Sequence, residues 1–287
     1  MANTFLGRRV SVRGQREEAA VKVYIFSDME GVAGIEEWDN RTDESYANAM
    51  LRRRNQQLLT QELNAAAAGA FDAGAAEVVI KMGHADSILF EELDERVKFI
   101  RRGVTWLQGL DEAVDVCFYV GAHSRSGTAD GVLAHSWSHK DVKAWYVNDL
   151  EVGEIGVAAL AAGYFRIPFA FLAGDAAACR ETEALIPNVV TAPVKKGYGT
   201  HSALHLTKEQ ARTLIRQKAR ETLGKLAEIQ PMSVPPRPTS PRYVFRQVTT
   251  HTNLETSDDG KGTRVIAPDT YEHYGDDLLT VLKRGTY

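Results

Sequence analysis

The chain has 287 residues, 44% of them hydrophobic and 25% charged, with a formal net charge of -4. This is the composition of an ordinary soluble globular protein; it lacks the concentrated basic face of a nucleic-acid binder, and no stretch approaches the ~20 apolar residues that span a bilayer. Two cysteines, Cys117 and Cys179, are too few for a disulfide framework and suit a reducing cytoplasm.

Residues 1–20 are polar, with arginines at positions 8, 9, 13 and 16. They lack the apolar core of a secretory signal and read as a flexible N-terminal arm. From residue 21, strand-like and helix-like segments alternate. Strands are expected at 21–28, 76–82, 115–121, 143–148, 168–173 and 189–194. Most are short apolar runs, the pattern of strands covered on both faces. Helices are expected at 44–73, 152–164, 175–186 and 207–227. Thr207 followed by Gln210 predicts a capping box at the last of these. The alternation predicts an α/β fold, a mainly parallel sheet with helices on both faces. Pro231, Pro235, Pro236, Pro238 and Pro241 then break the pattern. A strand at 242–250, another near 264–267 and a helix from about 270 follow. The expected organisation is therefore an arm (1–20), a metal-binding α/β catalytic domain (21–230), and a proline-rich linker with a smaller C-terminal α+β subdomain (231–287).

The chemistry concentrates where strands end. Asp28 and Glu30 follow the run Val21–Ser27 and precede Gly31-Val32-Ala33-Gly34. Alternate residues project to one side, so both carboxylates can reach one site. His84 follows Val78–Gly83, and His123 follows Cys117–Ala122. Glu154 lies just beyond Trp145–Asn148, at an expected helix start. Ligands of open α/β sheets sit beyond the carboxyl ends of the strands, so these residues can converge. Imidazole with carboxylate suits zinc, and also manganese, iron or cobalt. Five ligands are more than one catalytic zinc takes; they serve two metals if one carboxylate bridges, and Asp28 is the natural bridge. His135, twelve residues after His123, is a candidate acid, base or oxyanion stabiliser. Each residue has a plainer alternative. A strand-end histidine can be hydrogen-bonded structure, Glu154 can favour a helix dipole, and His135 can bond to backbone.

The segments Ser27–Gly34, Gly121-Ala122-His123, Gly131–Ser136, Tyr146–Asp149 with Val152–Gly156, Ala173-Gly174-Asp175 and Glu183–Val189 resemble, in order, the D-aminopeptidases of the dipeptide-transport type. The resemblance implies two zinc ions per chain, replaceable by manganese or cobalt. It puts the metal ligands on Asp28, Glu30, His84, His123 and Glu154 and the catalytic histidine on His135. It implies release of N-terminal, D-configured residues from short peptides or amino-acid amides, inside a ring-shaped homodecamer; the cytoplasmic location is expected from the cysteine usage. Asn148 is a candidate substrate-orienting residue. Lys81-Met82-Gly83 before His84 departs from the family's pattern of Asn-Asp and a small residue, and so lacks an acid that could orient the imidazole. Two other readings are a metal-dependent amidase with a non-peptide substrate and a non-catalytic binding protein on the same fold. Neither nucleic acid nor membrane is expected as a partner.

Overall fold

A computed structural model describes residues 20–233 and 242–286. Residues 1–19 of the expected arm, and prolines 235, 236, 238 and 241, lie outside the described residues. The first half of the chain forms β1 (Val21–Ser27), α1 (Tyr46–Asp72), β2 (Ala75–Met82), β3 (Lys98–Ile100), β4 (Val116–Ala122), β5 (Val142–Val147) and β6 (Leu150–Val152). The second half forms α2 (Glu154–Tyr164), β7 (Phe169–Asp175), α3 (Ala176–Leu185), β8 (Val190–Gly199), β9 (Ser202–His205), α4 (Lys208–Gly224), β10 (Tyr243–Thr249), β11 (Ser257–Asp258), β12 (Thr263–Ala267), β13 (Thr270–Gly275) and α5 (Leu278–Gly285).

The larger sheet has the order β3-β2-β1-β4-β7-β8-β9, parallel except for the edge strand β9. Its centre is apolar on both faces; Val23 to Phe26 of β1 are fully buried. The chain builds β2 and β3 on one side of β1, then crosses to build β4, β7 and β8 on the other. Because such crossovers are right-handed, reversing direction moves the connecting helices to the opposite face. α1 therefore packs with α4, and α2 with α3. The capping box expected at Thr207 and Gln210 is present. The order reverses between β1 and β4, and a crevice opens at such a point beyond the strand ends.

Three expectations are corrected. Residues 142–147 do not join the parallel sheet. They pair antiparallel with β10 and β6 in a second sheet, ordered β11-β12-β13-β10-β5-β6. A two-residue hairpin, Asn148-Asp149, with Asn148 at φ 55, turns β5 straight back into β6. The boundary expected at 230 consequently runs through a sheet, since β5 and β6 pair with strands from beyond residue 242. Finally, the helix expected from 270 begins at Leu278. Thr270–Gly275 is a strand, and Asp277 caps α5 by accepting from Thr280 N at 2.8 Å.

The ends of β1 and β4 touch backbone to backbone. Asp28 N donates to Val120 O at 2.9 Å, and Gly31 N to Gly121 O at 2.8 Å. A Cβ on Gly31 would lie 2.0 Å from Ala122 O, and one on Gly121, at φ 78, would lie 1.9 Å from Asp28 O. Only glycine permits this approach. The loop after β1 is also pinned from two other elements. Lys195 of β8, buried, donates from Nζ to the carbonyls of Glu30, Val32 and Ile35. Glu62 of α1 accepts from Ala33 N through Oε1 at 3.0 Å, while its buried Oε2 has no hydrogen-bond partner among the described residues. Burial pushes the Glu62 carboxyl up to about 7 and the Lys195 ammonium down to about 8.

Gly31→Ala is expected to destabilise the protein by about 2 kcal/mol or more, because backbone must move to admit the methyl group; urea titration measures it, and an unchanged midpoint contradicts the packing. Glu62 gives a pH dependence. A carboxyl raised on folding from 4.5 to about 7 binds its proton more tightly in the folded state, so stability falls as pH rises across that window. At about 1.4 kcal/mol per unit, the loss is of order a few kcal/mol. Glu62→Gln keeps an acceptor for Ala33 and should flatten the fall between pH 4.5 and 7 relative to wild type in pH-resolved melts.

Candidate metal centre

The crevice gathers the predicted residues. Asp28 and Glu30 follow β1, His84 follows β2, His123 follows β4, and Glu154 is the first residue of α2. All are buried except His84, whose side chain is 11% exposed. Glu154 arrives by a different route from the one expected. It comes from the second sheet through β6 and not from the end of a parallel strand, so α2 carries it into the crevice.

The two oxygens of Asp28 face different imidazoles. Oδ1 lies 3.4 Å from His84 Nδ1, and Oδ2 lies 3.3 Å from His123 Nε2. Glu30 Oε2 stands 3.1 Å from His84 Nδ1, and Glu154 Oε1 stands 3.5 Å from His123 Nε2. Two trios result, Asp28–Glu30–His84 and Asp28–His123–Glu154, with Asp28 common to both. Ligand atoms of Asp28, Glu30 and His123 lie within 4.8 Å of one another, as do those of His123, His135 and Glu154. The cluster is thus continuous.

His123 tests whether these donors suit a metal. Its Nδ1 donates to Ser124 O at 3.0 Å, which leaves the lone pair on Nε2. That Nε2 is buried and has no hydrogen-bond partner among the described residues. A buried polar atom left this way is costly, and a cation between Asp28 and Glu154 would satisfy it. The donor set, imidazole and carboxylate, is the one zinc takes.

Charge within the cluster is mutually supporting. Burial works to raise the Asp28 carboxyl, but the imidazoles of His123 and His84 that face its two oxygens outweigh it and hold the group well below the usual range. Glu30 and Glu154 are likewise held down against burial, by His84 and His123 respectively. Burial opposes charging of His84 and His123, yet the facing carboxylates push both imidazoles well above their ordinary value. Divalent cations entering such a site displace these protons.

His135 sits beside the cluster. Its ring stacks on His123 with centroids 4.0 Å apart, and Nε2 lies 3.9 Å from Glu154 Oε1. Nδ1 donates to Leu133 O at 2.8 Å, so the lone pair of the neutral ring is on Nε2. The segment holding it contains two non-glycine residues with left-handed backbone, Leu133 at φ 50 and Trp137 at φ 64. Such strain is kept where surrounding structure over-determines it. Here Trp137 N donates to Glu154 Oε1 at 2.8 Å.

Several residues of the site were not anticipated from sequence. Asp39 Oδ2 lies 3.4 Å from His84 Nε2, supplying the orienting acid that the segment before His84 lacks. Arg41 stands between them, with Nε 3.0 Å from Asp39 Oδ2 and Nη2 2.9 Å from His84 Nε2. Tyr119 donates to Asp28 Oδ2 at 3.2 Å. Trp38, Trp106 and Trp137 wall a cavity of about 430 Å³ whose floor includes Asp28, Glu30, His84, His135 and Glu154. His139, in the same wall, stacks on Trp38 at 4.1 Å. Asp39, Arg41 and Trp38 lie in a loop without periodicity, where sequence patterns are silent. Tyr119 had a signal, its place on the same strand as His123. Asn148 lies at the β5–β6 corner, where its Oδ1 accepts from Val244 N at 3.0 Å; it is not in the cavity wall.

Comparisons with known proteins bear on the family and the fold. A model of the D-aminopeptidase family matches residues 21–256. A D-aminopeptidase of Bacillus subtilis (strain 168) is 33% identical over 225 residues, covering 76% of this chain and 79% of the relative. A solved structure, the Zn-dependent D-aminopeptidase DppA from Bacillus subtilis, described as a self-compartmentalizing protease, superposes with a TM-score of 0.80 at 28% identity, covering 92% of this chain and 95% of that one. The two trios at the switch point are thus housed in a known architecture, and the chain belongs to the D-aminopeptidase family.

Proposed function

We propose that this chain is a zinc-dependent aminopeptidase that releases N-terminal residues, D-configured by preference, from short peptides or amino-acid amides. The observation that carries the reading is Asp28, whose two oxygens face separate imidazoles inside a buried cluster. That geometry supports two zinc ions per chain, one held by Asp28, Glu30 and His84 and the other by Asp28, His123 and Glu154. Manganese or cobalt would serve as substitutes with the same donors. Zinc in these positions would polarise a substrate carbonyl and lower the pKa of a water from about 15.7 toward about 7.

The protein's own groups do the rest. His135, its Nδ1 proton fixed on Leu133 O, accepts a proton at Nε2 and delivers it to the departing nitrogen. Glu154 is kept in place by Trp137 N, and Asp28 by Tyr119. Asp39 orients His84, the usual part of a carboxylate behind a ligating imidazole. Trp38 and Trp137 close the sides of the cavity and limit its water. Asn148, expected to orient substrate, has no such part in this reading: its Oδ1 accepts from Val244 N, outside the cavity wall, and it shapes the hairpin that leads through β6 to α2.

The similar Bacillus subtilis structure is that of a self-compartmentalizing protease, which supports a homo-oligomer here, and we infer a ring-shaped decamer enclosing the active sites. No helix among the described residues is long and apolar enough to cross a membrane. Cys117 and Cys179 are buried and unpaired, which supports a cytoplasmic location.

Purified protein should contain about two zinc ions per chain by elemental analysis. Asp28→Asn, which weakens both trios, should lose most of that metal, and Glu154→Gln should leave roughly one ion. Retention of both ions by Asp28→Asn would remove the bridge from the proposal. His135→Ala should keep its metal and lose at least ~10²-fold in kcat on D-aminoacyl amides, the low end of an acid–base contribution; full turnover would assign the proton transfer elsewhere.

A further inference from the structure

A second recess adjoins the metal cavity and shares part of its wall. Gly83, Ala85, Trp106 and Trp137 border both. Trp106 and Trp137 meet edge to face, centroids 6.1 Å apart, and form the partition. The two spaces are opposite in charge. The metal cavity presents Asp28, Glu30 and Glu154, whereas the recess, about 720 Å³, presents Lys81, Arg101 and Arg102 against one carboxylate, Asp86. Asp86 pairs with Arg101 at 3.3 Å. Arg102 and Lys81 pair with no carboxylate among the described residues.

Lys81 is the unusual member. It lies near the end of β2, three residues before His84, and is 4% exposed. An ammonium offers three N–H donors. Among the described residues, Lys81 Nζ donates to one acceptor, Met82 O at 2.7 Å. Lys195, equally buried, has three carbonyls in place. Burial lowers the Lys81 ammonium from its ordinary value, and no nearby acid opposes that. A buried cation is ordinarily compensated by an anion, and Lys81 borders the recess.

We propose that this recess is a carboxylate subsite, and that Lys81 and Arg102 hold the C-terminal carboxylate of a short peptide whose amino end lies at the Asp28 cluster. The inference rests on the aminopeptidase reading and adds a length limit to it. An extended chain advances ~3.3–3.6 Å per residue. The two spaces share a wall, and a di- or tripeptide, roughly 7–11 Å long at that advance, is taken as the chain that spans them past the Trp106–Trp137 partition. A longer peptide would have to place its carboxylate beyond the basic residues. An amino-acid amide, with no such carboxylate, would leave Lys81 uncompensated.

The test is steady-state kinetics of the full-length zinc-loaded enzyme on one D-alanyl dipeptide as the free acid and as its C-terminal amide. The free acid should be preferred at least tenfold in kcat/KM, with the difference in KM. Lys81→Met and, separately, the exposed Arg102→Ala should each cut that acid-to-amide ratio about tenfold, and Lys81→Arg should restore most of it. A wild-type ratio near one overturns the subsite, and so does a loss in both variants that is equal for acid and amide. If Lys81→Met does not fold, Arg102→Ala carries the same comparison. Hydrolysis of neither form overturns the aminopeptidase reading itself, whereas hydrolysis of both at equal rates overturns the subsite alone.

Discussion

Everything in this molecule that bears on chemistry depends on a carboxylate kept charged inside the protein. Asp28 is 4% exposed, and an isolated buried carboxylate would take up a proton. It stays ionised because an imidazole faces each of its oxygens and Tyr119 donates to one of them. Those partners come from the ends of β2 and β4, so the carboxylate also fixes where β1, β2 and β4 must finish. The glycine contacts between β1 and β4 follow from the same need: the loop carrying Asp28 must lie flat against the strand carrying His123.

Around that centre the fold divides its labour. The parallel sheet supplies Asp28, Glu30, His84 and His123 from a rigid edge. The antiparallel sheet positions Glu154 through β6 and α2, and the irregular segment 123–141 brings His135 and Trp137 over the top. A site built on strand ends holds its geometry better than one built on loops, while the looser segment can shape the cavity walls. Opposite charge in two adjoining spaces then gives a small zwitterionic substrate a direction, amino end toward the carboxylates and carboxyl end toward Lys81 and Arg102.

Much of this is legible in the chain. Apolar runs ending in Asp28, His84 and His123 give both the strands and the crevice, since a parallel sheet places such ends on one edge. Glu154 is found for a reason that is only half right, because Val142–Val147 is too short and apolar for periodicity to tell a parallel strand from a strand of a second sheet. The strand Thr270–Gly275 escapes a sequence reading although it mixes β-branched and aromatic residues with Glu272 and His273; the acid at 272 is buried between Arg246 and Arg264, a pairing invisible without the fold. Asp39, Trp38 and Lys195 act through contacts from loops or remote strands, and nothing local marks them.

The lysine that ties down the Glu30 loop has a kinetic consequence. Its bond to Glu30 O closes a span of 165 residues, and the strand bearing it is next to the edge of the sheet. Contacts of such sequence separation form late, after the loop-closure entropy has been met. The metal-binding loop would then acquire its final shape among the last events of folding, and chains emerging from synthesis would pass through a compact stage with their imidazoles and acids still apart.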